Sequence, residues 1–203
     1  SKESGNTCCQ KILEHNKTKK YLLAEGKPID FLVYLGVMSK EGKVYKHSYA
    51  KYRQINKYLE FIENTIEELQ EKKWIQDHIR ILDFGCGKSY LTFALYYYLR
   101  EIKKISFTII GLDLKEDVMK HCNKIAKELG YENLEFLTGN IKDFEKLQEV
   151  DLVFSLHACD NATDYSILKA LEMKAKAILA VPCCQHEFFQ KINKNKKILL
   201  EIM

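Results

Sequence analysis

The segment Asp83-Phe84-Gly85-Cys86-Gly87-Lys88-Ser89 places an acid and a Gly-x-Gly pair directly behind an apolar run. Glycine lets a backbone turn sharply and lets a ligand approach it closely. Amides at the start of a following helix can then face an anionic group. A second set of reactive groups falls later, as His157-Ala158-Cys159-Asp160 and Pro182-Cys183-Cys184-Gln185-His186. Imidazole, thiol and carboxylate groups together can move protons, orient a hydroxyl or amine, or hold a metal ion.

Three ligand chemistries compete for the glycine segment. A nucleotide P-loop also ends in Gly-Lys-Ser, but it needs a glycine where this chain has Leu82. A dinucleotide fingerprint needs a third glycine where this chain has Tyr90. The remaining pattern, an acid at a strand end followed by Gly-x-Gly, is that of loops binding S-adenosylmethionine (SAM), with Asp83, Gly85 and Gly87 as its contacts. Two later positions support it. Asp113, followed by Leu114, stands just past the next apolar run, where a carboxylate accepts hydrogen bonds from ribose hydroxyls or caps the next helix. Asn140 and Ile141 follow Gly139 past a third run, where they meet an adenine by its edge and face or form an ordinary turn.

Alternating elements must carry these residues. Tyr52, Ile55, Leu59, Ile62, Ile66 and Leu69 recur at spacings of three and four, one face of an amphipathic helix. An earlier apolar block, 29–35, follows Pro28 and suits a short helix. Apolar strands are expected at 79–84, 107–112, 134–137, 151–156 and 177–181. Helices are expected at 89–102, with Leu91, Ala94, Leu95 and Leu99 on one side, at 115–129 before Gly130, and at 162–173. Strands alternating with helices make a doubly wound, mostly parallel α/β sheet. The expected division is a helical N-terminal extension, 1–77, and a cofactor-binding domain, 78–203. The ends of the fourth and fifth strands bring His157, Asp160, Cys183 and His186 to one cleft.

Those last residues have three readings. A zinc site has enough ligands but lacks the usual Cys-x₂₋₄-Cys pairs. Substrate positioning and proton handling suit His157, Asp160, Cys183 and His186. The cysteines can also be small packing residues at strand ends.

The pairing of Leu156-His157-Ala158-Cys159-Asp160 and Ala162-Thr163-Asp164 with Cys183-Cys184-Gln185-His186 resembles a bacterial branch of the class I SAM-dependent methyltransferases. Similar segments occur in eukaryotic tRNA 2′-O-methyltransferases that modify the acceptor stem, and in methyltransferase-like proteins. The resemblance covers about residues 49–187. It implies a Rossmann-like methyltransferase sheet, a SAM cofactor, and RNA as the leading acceptor, methylated on oxygen or nitrogen. Within it, Tyr52-Arg53-Gln54-Ile55-Asn56 looks like a recurring element whose Arg53 or Gln54 reaches over the cofactor or substrate. Two features depart from it. The paired-cysteine zinc finger of the eukaryotic enzymes is not found, and only residues 182–203 follow the fifth strand. The expectation is a fragment lacking its C-terminal strands. Its open sheet edge would suit a homodimer.

Composition narrows the setting. Seven cysteines, most within apolar patterns, and no signal-like N-terminus lead to an expectation of reduced thiols and a cytoplasmic protein without a membrane span. The net charge of +4 permits a nucleic-acid partner without requiring one. Residues 40–58 are locally basic, with Tyr45, His47, Tyr49, Tyr52 and Tyr58 interleaved. They can neutralise phosphates and stack on bases, or simply cover a solvated helix face. Two non-enzymatic readings stand beside the methyltransferase: a module of the same fold that only binds RNA or protein, and a zinc-stabilised interaction domain.

Overall fold

The computed structural model describes residues 21–75, 77–156 and 161–180. Five parallel strands form one sheet: β1 (His78–Phe84), β2 (Ser106–Asp113), β3 (Leu134–Thr138), β4 (Leu152–Ser155) and β5 (Ala177–Ala180). Their order is β3-β2-β1-β4-β5, so the winding reverses between β1 and β4. In open α/β sheets ligands bind outside the carboxyl ends of the strands at such a reversal. The glycine segment leaves β1 at that point. The helices are α1 (Asp30–Tyr34), α2 (Tyr49–Glu71), α3 (Tyr90–Tyr97), α4 (Glu116–Glu128) and α5 (Asn161–Glu172). This is the doubly wound, parallel α/β fold expected from the alternation of apolar runs, with the Rossmann-like winding that the resemblance implies.

Strand alternation divides the core in two. Ile79, Ile81, Ile109, Phe136, Leu152 and Phe154 face one layer with the buried stripe of α2 and with Phe93, Leu95, Met119 and Ile125. Leu82, Phe84, Ile110, Leu112 and Val153 face the other, with Ala170 and Met173. The stripe of α2 comprises the six apolar positions read from spacing, together with Asn56 and Tyr58. Asn56 is buried and accepts the Leu23 N–H at 2.8 Å. Tyr52 donates its hydroxyl to the Leu23 carbonyl. The helices of the first third thus share one apolar core with the sheet.

Two sequence expectations need correction. The helix expected at 89–102 is α-helical only to Tyr97, and Tyr98–Lys103 continues as a π-helix. Its apolar side is also wider than four residues, because Phe93, Tyr96 and Tyr98 are buried as well. A helix enclosed by neighbours on several sides loses its amphipathic signature. No helix among the described residues is long and apolar enough to cross a membrane.

Candidate functional site

Three turns meet at the carboxyl edge of β1, β2 and β3. Gly85 and Cys86 donate their backbone N–H groups to the Leu112 carbonyl, at 2.7 and 3.4 Å. Gly87 donates its N–H to Asp113 Oδ2 at 2.9 Å. Lys115 donates its N–H to Asp113 Oδ1 at 3.1 Å, and Gly139 donates to the Asp113 carbonyl at 3.1 Å. Asp113 therefore ties the glycine loop to both neighbouring turns. Its side chain closes a turn ahead of α4, whose N-cap position is Lys115, so it does not cap the helix itself. Each carboxylate oxygen keeps a second lone pair for a ligand, and the residue is half-exposed.

The loop geometry explains its glycines. Gly85 and Gly87 have φ of +67° and +53°, the left-handed region that costs other residues about 1–2 kcal/mol. A Cβ on Gly87 would meet nothing within 4 Å, so that backbone is open to an incoming group. Ser89 also takes a left-handed φ, +58°, at the N-cap of α3, with its hydroxyl on the Gly87 carbonyl at 3.2 Å. Beneath the loop lie Cys86, whose Sγ is 3.7 Å from Met119 Sδ, and Cys122, whose Sγ is 3.6 Å from Ser89 Oγ. Burial pushes both thiols upward in pKa, Cys86 far above the usual range. Both are free and protonated near neutrality, which makes them packing groups and not nucleophiles.

Asp83 forms the floor. It is buried and accepts the Thr92 hydroxyl at 2.6 Å. Burial pushes its carboxyl up to about 7, against the opposing effect of the Thr92 hydrogen bond and with help from the nearby charge of Asp113. Beside it runs a cleft of ≈ 270 Å³ between the glycine loop and α2. Asp83, Cys86 and Gly87 line it from the loop, with Leu156 past β4 and Lys51 and Gln54 from α2. Lys51 Nζ lies 3.5 Å from the centroid of the Tyr90 ring.

The structure thus brings Asp83, Gly85, Gly87 and Asp113 together, with Asn140 and Ile141 in the next turn. Asn140 Oδ1 accepts the Lys142 N–H at 3.1 Å, and its NH₂ has no hydrogen-bond partner among the described residues. Ile141 is half-buried against the second core layer. Leu114 is 71% exposed. Of the two residues expected to reach over the site from α2, Gln54 lines the cleft; Arg53, one position earlier on the helix, is exposed and is not among the lining residues. Tyr52 and Tyr58 of the basic aromatic stretch are buried, which removes them from any base-stacking surface. Lys51 and Tyr90 were missed as a pair. The signal for Lys51 was its place four residues before Ile55, one turn along the core stripe. His157, Asp160, Cys183 and His186 lie outside the described residues. Among the described residues no cluster of three or more potential metal ligands occurs.

Comparison with known proteins gives a family. The profile of a family described as "Methyltransferase domain" matches residues 50–191. No curated protein sequence matches the chain. Similar solved structures include a SAM-dependent methyltransferase from Aquifex aeolicus, 19% identical with a TM-score of 0.37 over 54% of this chain and 57% of that one. Coclaurine N-methyltransferase bound to N-methylheliamine and SAH is 20% identical, with a TM-score of 0.39 over 54% of this chain and 32% of that one. The bifunctional kinase-methyltransferase WbdD is 20% identical, with a TM-score of 0.41 over 58% of this chain and 24% of that one. The chain spans less than two thirds of the length of each.

Proposed function

The chain belongs to the methyltransferase-domain family, and from that premise we propose that it binds SAM at the glycine-loop edge and methylates an oxygen or nitrogen of an RNA acceptor. The observation that carries the cofactor reading is the Gly87–Asp113 hydrogen bond. It fixes an open, left-handed glycine backbone beside a carboxylate with spare acceptor capacity.

The residues present fit the cofactor. Asp113 would accept from the ribose hydroxyls, and Asn140 would donate to the adenine edge. The buried Asp83 carboxylate would face the α-amino group, whose positive charge favours its ionised form. When bound, SAM supplies an electrophilic methyl group on a sulfonium. The chain's own task is alignment, since displacement at that methyl must be in line. Gly85 and Gly87 let the backbone come close, Ile55 and Leu156 exclude water from one side of the cleft, and Asp83 stays dry beneath the loop. Under this proposal His157, one residue beyond Leu156, takes the acceptor's proton. Asp160, Cys183 and His186 orient the acceptor.

The support for RNA is local. Tyr45 and His47 are exposed and stacked, with centroids 5.7 Å apart and planes 12° from parallel. Exposed Lys40, Lys43 and Lys46 stand beside them in sequence. The turn that carries them leads into α2, which reaches the cleft one turn later through Lys51.

Titration calorimetry with S-adenosylhomocysteine, followed by incubation with labelled SAM and separated RNA and protein pools, tests both parts. Binding that Asp113→Ala weakens, with label in RNA, is expected. Binding of NAD or ATP in place of S-adenosylhomocysteine would reject the cofactor. Label in protein alone would reject the acceptor, and RNA retention without methyl transfer would favour a non-catalytic binding module.

A further inference from the structure

The cleft carries charge of both signs, and the cation is the less expected. Lys51, Gln54, Ile55 and Tyr58 follow one another on α2 at spacings of three, one and three, so they lie along one side of the helix. Ile55 and Tyr58 are buried against the sheet. Lys51 and Gln54 come one turn earlier and line the open cleft.

Lys51 differs from four lysines on or beside these helices. Lys57, Lys72, Lys103 and Lys120 each have a carboxylate within 3 Å. Lys51 is half-buried, sits over the Tyr90 ring, and forms no ion pair among the described residues. Its sequence neighbours three and four residues away, His47 and Ser48 in the preceding turn and Gln54 and Ile55 on the helix, include no acid. An aromatic face holds an ammonium and strips part of its water without neutralising it. Tyr90 occupies the position where a dinucleotide fingerprint requires glycine, and its ring is also the seat of Lys51.

An unneutralised ammonium and the Asp83 carboxylate line the same cleft. That pair complements a zwitterion, an α-amino carboxylate whose amine meets Asp83 and whose carboxylate meets the cation. Resting on the SAM reading above, we propose that Lys51 determines which adenosyl compounds the cleft accepts, by pairing with the carboxylate of the amino-acid arm.

The test compares SAM with decarboxylated SAM, which keeps the amine, sulfonium and adenosine and lacks only the carboxylate. Calorimetry on the full chain should show that Lys51→Met weakens SAM by about tenfold or more, the usual scale of a hydrogen bond to a charged group. Decarboxylated SAM should bind wild type and Lys51→Met within about twofold of each other on the same argument, and Lys51→Arg should keep most of the preference for SAM. Lys88, which also lines the cleft but is exposed on the loop, is the competing candidate for that carboxylate. Equal losses for both compounds, no loss for either, or a selective loss in Lys88→Met with none in Lys51→Met would each overturn the assignment. Wild-type protein that binds decarboxylated SAM as tightly as SAM would overturn it too, while leaving the cofactor reading standing. A folded wild type that binds neither compound would remove the cofactor reading, and this inference with it.

Discussion

The backbone N–H of Gly87 donates to the carboxylate of Asp113 at 2.9 Å, so the loop leaving β1 is held by the residue that ends β2. The same carboxylate takes the Lys115 N–H. Asp113→Ala removes both acceptors and leaves two backbone donors to find water. Hydrogen bonds to a charged group are worth about 1.5–3 kcal/mol each at most sites, less where water can substitute. The variant should lose about 1–3 kcal/mol of stability in urea denaturation and at least tenfold in affinity for S-adenosylhomocysteine. Asp113→Asn keeps one acceptor and should fall between. Unchanged affinity in Asp113→Ala would remove this residue from the cofactor site.

Asp83 predicts a pH dependence whose sign is set by burial. Its folded-state pKa of about 7 lies above the ordinary 3.8. Between these values the unfolded chain has released the proton and the folded chain still holds it. Stability is therefore full below about pH 4, falls as pH rises, and levels off above about pH 7. The total loss is on the order of 4 kcal/mol for a shift of this size. Asp83→Asn cannot ionise and should flatten the profile. Urea midpoints at pH 5 and pH 8 check this: the wild type should drop between them while Asp83→Asn changes little. Bound SAM should oppose the effect, because its amine favours the ionised carboxylate, so affinity should rise with pH up to about 7. A wild-type midpoint independent of pH would mean that Asp83 titrates normally.

The strands were legible because each is a short apolar run, the first three ended by Gly or Asp, and parallel sheets bury both faces. The four proposed cofactor positions, which the fold brings together at the loop edge, were picked out by type and spacing: an acid, two glycines, and an acid one strand later. What could not be read was how the edge is joined. The Gly87–Asp113 and Asp83–Thr92 bonds connect residues that no local pattern relates. Lys51 was hidden for a related reason. In sequence it is one lysine of a basic stretch, and only the docking of α2 over the β1–β4 reversal turns it toward the cleft. The apolar side of α3 was read too narrowly because tertiary enclosure, which buries Phe93 and Tyr96, overrides amphipathic spacing.

Gly111 tests whether the floor of the site is packed as tightly as the distances imply. A Cβ built there would lie 2.5 Å from the Phe136 ring and 3.0 Å from Cys86 Sγ. Phe136 is 2% exposed and cannot swing into solvent without opening the core. Gly111→Ala should therefore destabilise by about 1–3 kcal/mol, the usual cost of overpacking. Gly87→Ala meets no neighbour but must hold a left-handed φ, for about 1–2 kcal/mol. The two should separate by thermal melting combined with ligand binding. Gly111→Ala loses melting temperature and pushes Cys86 against the loop, while Gly87→Ala acts mainly on the backbone that meets the ligand. A Gly111→Ala protein as stable as wild type would show that Phe136 has room to move.

Tyr58 is the remaining group beside Asp83 whose chemistry is unaccounted for. Its hydroxyl is buried with no hydrogen-bond partner among the described residues, and its ring packs edge-on against Phe154 at 6.0 Å between centroids. Burial and the nearby Asp83 charge push its pKa well up, so it remains a neutral phenol. A buried hydroxyl without a partner costs about 1–3 kcal/mol relative to water, and phenylalanine keeps the ring contact without that cost. Tyr58→Phe should thus be neutral or up to about 2 kcal/mol more stable in urea denaturation at pH 5, where Asp83 is protonated. At pH 8 the nearby ionised carboxylate interacts more favourably with the hydroxyl dipole than with an apolar ring edge, and the advantage should shrink. In the Asp83→Asn background that pH difference should disappear, which a double-mutant cycle measures directly. A loss of more than about 1 kcal/mol at pH 5 would instead show that the hydroxyl is already satisfied.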